Sequence, residues 1–168
     1  MIKVVSRNIL RFVLLVLLQV LIFNNIEISG YMTPYIYIIV IILLPFETPV
    51  SVSLIVGFFL GLSIDIFTDT IGMHTASTVF IAYIRSYILS SFAPRDGYEL
   101  GTFPRVYYYG LPWFIKYAAI LVFAHHLMLF YIEMFRFQDF FSTLLRVILS
   151  SLFSIALIVS SQFFVFRK

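Results

Sequence analysis

Asp65, Arg85, Lys116, His125, His126 and Arg146 are ionisable residues set within otherwise apolar runs of this 168-residue chain. In hydrocarbon each such group is costly and needs a partner or a wet cavity, so it marks a place where function can reside. The chemistry open to them is ion pairing, ligation of a cation or capture of a polar solute. Adjacent side chains on a helix point about 100° apart, so His125 and His126 cannot ligate one metal together. Asp65 with a single histidine supplies too few ligands and no His-Glu-x-x-His pattern occurs, so no metal is assigned. Gly61-Leu-Ser63 lacks the glycine spacing of a nucleophile elbow, and there is no glycine-rich phosphate loop or Ser-x-x-Lys pair. Without cysteine there is also no thiolate nucleophile and no disulfide. No catalytic residue and no cofactor are therefore assigned, and the chain reads as a non-enzyme.

The elements that must position these groups follow from composition. The chain is 62% hydrophobic and only 11% charged, outside the range of soluble domains. At ~20 residues per crossing it holds about six spans and no soluble domain. We expect an all-α integral membrane bundle, one domain over residues 1–168, with spans near 8–25, 32–46, 50–67, 74–92, 111–132 and 140–164. Pro34 suits a first helical turn, and Pro45 and Pro49 stop one helix and start the next. Gln19 should face a neighbouring helix, because an amide in lipid lacks partners. Lys116, near a span end, should snorkel to the headgroups. Tyr107 to Tyr109 read as an interfacial belt closing the long connection 93–110.

Basic residues set the orientation. Lys3, Arg7, Arg11, Arg95, Arg105, Arg167 and Lys168 fall on the side of the chain ends, and Arg136 alone falls opposite. This asymmetry places both termini in the cytoplasm. The net charge of +3 records topology and contact with anionic headgroups, and no nucleic-acid role is assigned. With directions fixed and ~1.5 Å per residue, Asp65, His125 and Arg146 share one level in the outer third, with Arg85 deeper. A buried pair between Asp65 and Arg146, with His125 or His126 nearby, is the most economical arrangement. Two readings stand: a polar cluster that binds a ligand or couples to a partner, and an ion pair that fixes helix packing.

Ser53, Gly57 and Gly61 precede Asp65 at four-residue intervals, a small-residue face that lets another helix approach closely in lipid. Thr78, Ala82, Ser86 and Ser90 offer a matching stripe on the fourth span. The face should receive a transmembrane helix, either that fourth span or a separate partner's. The segment Gly57-Phe-Phe-Leu-Gly61-Leu-Ser-Ile-Asp65, followed by Gly72, resembles the Gly-x-x-x-Gly-Leu-x-x-Asp…Gly pattern of the rod shape-determining protein MreD family. Length, six-span layout, Gln19 and the proline-bounded turn before the third span are similar too; the high Phe and Tyr content and the tyrosine-rich connection depart from many relatives. The resemblance implies a scaffold of the bacterial cell-elongation machinery in the cytoplasmic membrane. It implies an MreC-like bitopic partner, the actin-like MreB and the peptidoglycan glycosyltransferase and transpeptidase pair as associates. It also implies a helical arrangement similar to the substrate-binding components of energy-coupling vitamin transporters. The alternative function is a small-solute binding subunit, with an outer pocket lined by Asp65, His125, His126 and Arg146.

Overall fold

A computed structural model describes residues 2–25, 32–99, 101–134 and 140–164. The described chain is helical: α1 (Ile2–Leu21) with a 3-10 turn at Phe23–Asn25, α2 (Ile39–Ile42), α3 (Val50–Thr68), α4 (Met73–Ser91), α5 (Val106–Tyr109), α6 (Leu111–Met134) and α7 (Phe140–Phe164). Four helices, at 8–25, 50–68, 111–134 and 140–164, are long and apolar enough to cross a membrane, which makes this a multi-pass membrane protein. Their outward faces are aliphatic and aromatic, as lipid contact requires: Ile55, Phe59 and Ile66 on α3 and Leu14 and Leu21 on α1 are exposed. The expected spans at 50–67, 74–92, 111–132 and 140–164 match α3, α4, α6 and α7 to within two residues.

The span expected over 32–46 is different. Only Ile39–Ile42 is helical there, and the residues before and after it are irregular. High hydropathy in this stretch reflects enclosure by protein: every residue from Tyr37 to Leu43 is at most 4% exposed. Irregular backbone at membrane depth is tolerated only where protein satisfies its polar groups. Here turn bonds within the segment serve the amides of Ile39 to Leu44, and side chains serve its two ends. The Thr33 and Tyr35 amides donate to the Ser150 and Ser154 hydroxyls of α7 at 3.2 and 3.0 Å. Gln19 of α1 accepts from the Ile36 amide at 2.9 Å and donates to the Pro34 carbonyl at 3.0 Å. At the other end, Tyr117 of α6 donates to the Ile42 carbonyl at 3.0 Å. Arg11 reaches the Leu43 carbonyl, and Arg85 of α4 donates to the carbonyls of Leu44 and Pro45. The segment thus runs inside the bundle from the level of His125 to that of Tyr117, about 12 Å along α6.

α3 and α4 form the tightest pair, an antiparallel hairpin. Asp69 (φ 53°) ends α3 in the left-handed region and Gly72 (φ 76°) opens α4 in the same region, where glycine carries no Cβ penalty. Along the hairpin a Cβ on Gly57 would stand 2.9 Å from the Thr78 carbonyl oxygen and 3.1 Å from the Ala82 Cβ. On Gly61 it would overlap the backbone of Thr75 and the hydroxyl of Thr78. Ser53, 2% exposed, continues the inward face. Of the two occupants expected for this face, the chain's own α4 is the one present, and it leaves no room for a second helix.

Where α3 begins, the turn at 45–49 is tied to the connection 93–110. Phe46 stacks on Tyr98 at 4.0 Å, Tyr109 and Trp113 pack beside them, and Glu47 accepts from the Gly101 amide at 2.9 Å. Burial first, then Tyr117 and Tyr109, pushes the Tyr98 phenol up to about 12, so it stays a neutral donor to the Leu89 carbonyl at 2.7 Å.

The hairpin sets an order of tolerance. Overpacking a tight contact costs about 1–3 kcal/mol, more when backbone must move. Gly61→Ala, which meets α4 backbone, should therefore lower the unfolding temperature in detergent more than Gly57→Ala does. Thermal unfolding of both variants checks this, and an equal or reversed effect contradicts the packing described.

Candidate functional site

Asp65 does not pair with Arg146, contrary to the expectation from depth. Its carboxylate, 4% exposed, accepts four hydrogen bonds: from the Thr70 hydroxyl at 2.6 Å, the His74 amide at 3.0 Å, and the Thr75 amide and hydroxyl at 2.9 and 2.6 Å. His74 and Thr75 lie in the first turn of α4, whose N–H groups have no partner within the helix. A capping side chain at the preceding residue ordinarily meets them. Gly72 stands there and has none, so Asp65 reaches across from α3 to serve as the cap, its charge placed at the positive end of the α4 dipole. With four donors the carboxylate needs no guanidinium.

Arg146 turns instead to Glu133, Nη1 to Oε1 at 3.2 Å, and lies over the Phe130 ring at 4.3 Å. Arg85, 2% exposed, serves the carbonyls at 44 and 45 and donates to the Tyr117 oxygen at 3.1 Å.

His125 and His126 are fully buried and point apart. His126 donates from Nδ1 to the Val122 carbonyl at 2.8 Å, which leaves Nε2 to accept from the Ser154 hydroxyl at 3.2 Å. His125 Nε2 lies 2.8 Å from the Tyr37 hydroxyl, which lies 2.8 Å from His74 Nδ1. Three rings from three parts of the chain thus form one buried line. Its proton order follows from the remaining nitrogen, since His125 Nδ1 is buried with no partner among the described residues. A buried N–H without an acceptor is rarer than a bare lone pair. The His125 proton therefore sits on Nε2 and is donated to Tyr37, and Tyr37 donates to His74 Nδ1. His74 is left with its proton on Nε2.

Beside His74 a polar cavity of about 280 Å³ opens between the α3–α4 turn, the end of α6 and the start of α7. Among its walls are Asn24, Thr33, Thr70, His74, Glu133 and Arg146. Of the four residues expected to line an outer pocket, Arg146 alone is in this wall; Asp65 stands behind Thr70, and His125 and His126 lie deeper in the core. Sequence reasoning missed His74, Tyr37 and Glu133. His74 was readable from its place two residues after Gly72, at a helix start; Tyr37 gave no signal, because it stands in an apolar stretch that reads as one more span. Among the described residues no cluster of three or more His, Cys, Asp or Glu side chains could hold a metal.

Because Asp65 and Arg146 have separate partners, their substitutions should act independently. Asp65→Asn turns an N–H group toward donors and should cost on the order of 1–3 kcal/mol. Combining it with Arg146→Gln should give an additive loss in thermal stability. The exchange Asp65→Arg with Arg146→Asp should be no better than the worse single variant, and partial recovery would reinstate a direct pair. Comparison of the chain with family models, with curated proteins and with solved structures finds no match in any of the three.

Proposed function

We propose that this chain is a non-enzymatic membrane scaffold of the bacterial cell-elongation machinery, an MreD-like protein that holds an MreC-like bitopic partner and supports peptidoglycan synthesis and cell-shape control. One observation carries the reading: intramembrane polar side chains are spent on the chain's own backbone. Asp65 caps α4, and Gln19, Arg85, Tyr117, Ser150 and Ser154 serve the segment 33–45. Such a protein acts through the surfaces it presents. The motif that carries the family resemblance fits this, since Gly57, Gly61, Asp65 and Gly72 all shape one hairpin.

The hairpin face being occupied, the partner's helix needs another seat. A groove of about 490 Å³ between α4, α6 and α7 supplies one; Phe80, Phe123 and Ile155 line it together with the small residues Ala119, Ala124 and Ser151. Small residues permit the close approach on which helix association in lipid depends. The peptidoglycan synthase pair and MreB are assigned as associates on the resemblance alone.

In this reading α1, the segment 32–45, α3, α4, α6 and α7 make six crossings of the cytoplasmic membrane, with both termini and 93–110 inside. The contacts support alternating directions: Gly57 lies by Ala82, Arg85 by Tyr117, and His126 by Ser154. Cysteine labelling in intact cells should therefore modify Ile71→Cys, 98% exposed in the parent, and leave Asp96→Cys unmodified until the membrane is opened. The reverse pattern refutes the orientation. For function, Ala124→Trp fills the groove from α6 and leaves the α3–α4 contact at Gly57 and Gly61 unaltered. Membrane level should hold while co-purification of the MreC-like partner in mild detergent falls; unchanged recovery would remove the groove as its seat, and absence of such a partner from the wild-type preparation would remove the scaffold reading.

A further inference from the structure

The cavity beside His74 is not used by the scaffold reading and stands apart from the groove. Several of its side chains can offer hydrogen-bond donors. Arg146 contributes a guanidinium with Nη1 on Glu133 and its other terminal nitrogen left for the cavity, while its Nε is buried behind them. Asn24 accepts from Gln19 through Oδ1 at 2.8 Å, which leaves its NH₂ for the cavity. His74, 5% exposed, has Nδ1 engaged by Tyr37, and the proton order of the buried line leaves an N–H on its other nitrogen. The Thr33 hydroxyl joins them in the wall.

Charge decides what these donors can take. Arg146 is countered by Glu133, and Asp65 adds a second negative charge one hydrogen bond behind Thr70. Among the described residues a net anion would meet no surplus of positive charge, and a net cation would leave the donors idle. The Arg146–Glu133 contact is a single N–O approach, with side chains 24% and 38% exposed, and such half-open pairs are weak. A ligand with both signs can replace it end for end. We propose that this cavity binds a zwitterion: an acid group received by Arg146, His74 and Asn24, and an ammonium a few bonds away received by Glu133. At ~30 Å³ per water the space exceeds what one ion would fill and suits a headgroup-sized solute. It lies at the helix ends, where a spanning bundle meets headgroups, so the zwitterion comes either from an aminophospholipid or from a free amino acid.

The test uses the whole protein. In detergent, thermal shifts are measured with O-phosphoethanolamine and alanine, and with phosphate, acetate and ethanolamine as probes of one sign. In nanodiscs of mixed phosphatidylethanolamine and phosphatidylglycerol, native mass spectrometry identifies the lipid retained. A zwitterion should bind about tenfold or more tightly than either single-sign probe, since each lost charged hydrogen bond is worth that much. Glu133→Gln should remove the advantage of the zwitterion while leaving phosphate binding as it was, and Arg146→Gln should weaken every acid-bearing probe. Retention of phosphatidylethanolamine with no alanine shift identifies the lipid source; an alanine shift without retained lipid identifies the free solute. Phosphate binding as well as phosphoethanolamine, or no probe binding and no lipid selected by the wild-type protein, overturns the proposal, and this wild-type result stands even if the variants fail to fold. Loss of partner recovery in Ala124→Trp has no bearing on it, so the two readings fail separately.

Discussion

Within residues 33–45 the amides of Ile39 to Leu44 bond to the segment's own carbonyls, but its two ends have no such partner, and the rest of the bundle is arranged to supply one. The short helical middle satisfies itself; the ends cannot, and the enclosing helices keep the segment from Tyr37 to Leu43 at most 4% exposed. Its amides and carbonyls therefore draw on Gln19, Ser150 and Ser154 at one end and on Arg11, Arg85 and Tyr117 at the other. In lipid an unmet backbone group costs several kcal/mol, so these side chains are held in place by the same interactions they provide. Tyr117 shows the economy: its oxygen accepts from Arg85 and its proton goes to the Ile42 carbonyl, so one hydroxyl joins α4, α6 and the segment.

The α3–α4 hairpin answers a related demand by another route. A glycine at 72 allows the sharp turn but leaves the first amides of α4 uncapped, and Asp65 from the preceding helix meets them. The capping reach requires α3 and α4 to lie close, which Gly57 and Gly61 permit. Turn, close approach and cap are one device. It also carries His74 to the place where the buried line through Tyr37 meets the polar cavity.

What was legible in sequence divides along this line. Helices that face lipid announced themselves, because an apolar run between prolines, glycines and charges has few other outcomes; α3, α4, α6 and α7 lie where composition put them. The segment at 32–46 did not, because hydropathy cannot distinguish a side chain against lipid from one against protein. For the polar residues, counting along helices put Asp65, His125 and Arg146 at a common height. In the structure Asp65 and Arg146 do border the same region, through Thr70 and the cavity, and His125 joins it through Tyr37 and His74. Height is one coordinate, however, and partner choice needs the other two. Opposite charges were the natural match on paper, whereas the backbone amides of His74 and Thr75 carry no letter of their own in a sequence.

The enclosed segment also bears on how the chain comes into being. Residues 33–45 leave the ribosome before α4, α6 and α7 exist, yet their carbonyls and amides are met by Arg85, Tyr117, Ser150 and Ser154, up to 119 positions downstream. Until then the stretch has to satisfy itself, most simply as a transient helix, or stay at the membrane surface with water on its backbone. Its bonds to Ser150 and Ser154 can form only once α7 has been made. A ribosome stalled before Ser150 would leave behind an unfinished core, and quality control would meet a nascent chain whose most apolar segment has not yet found its place.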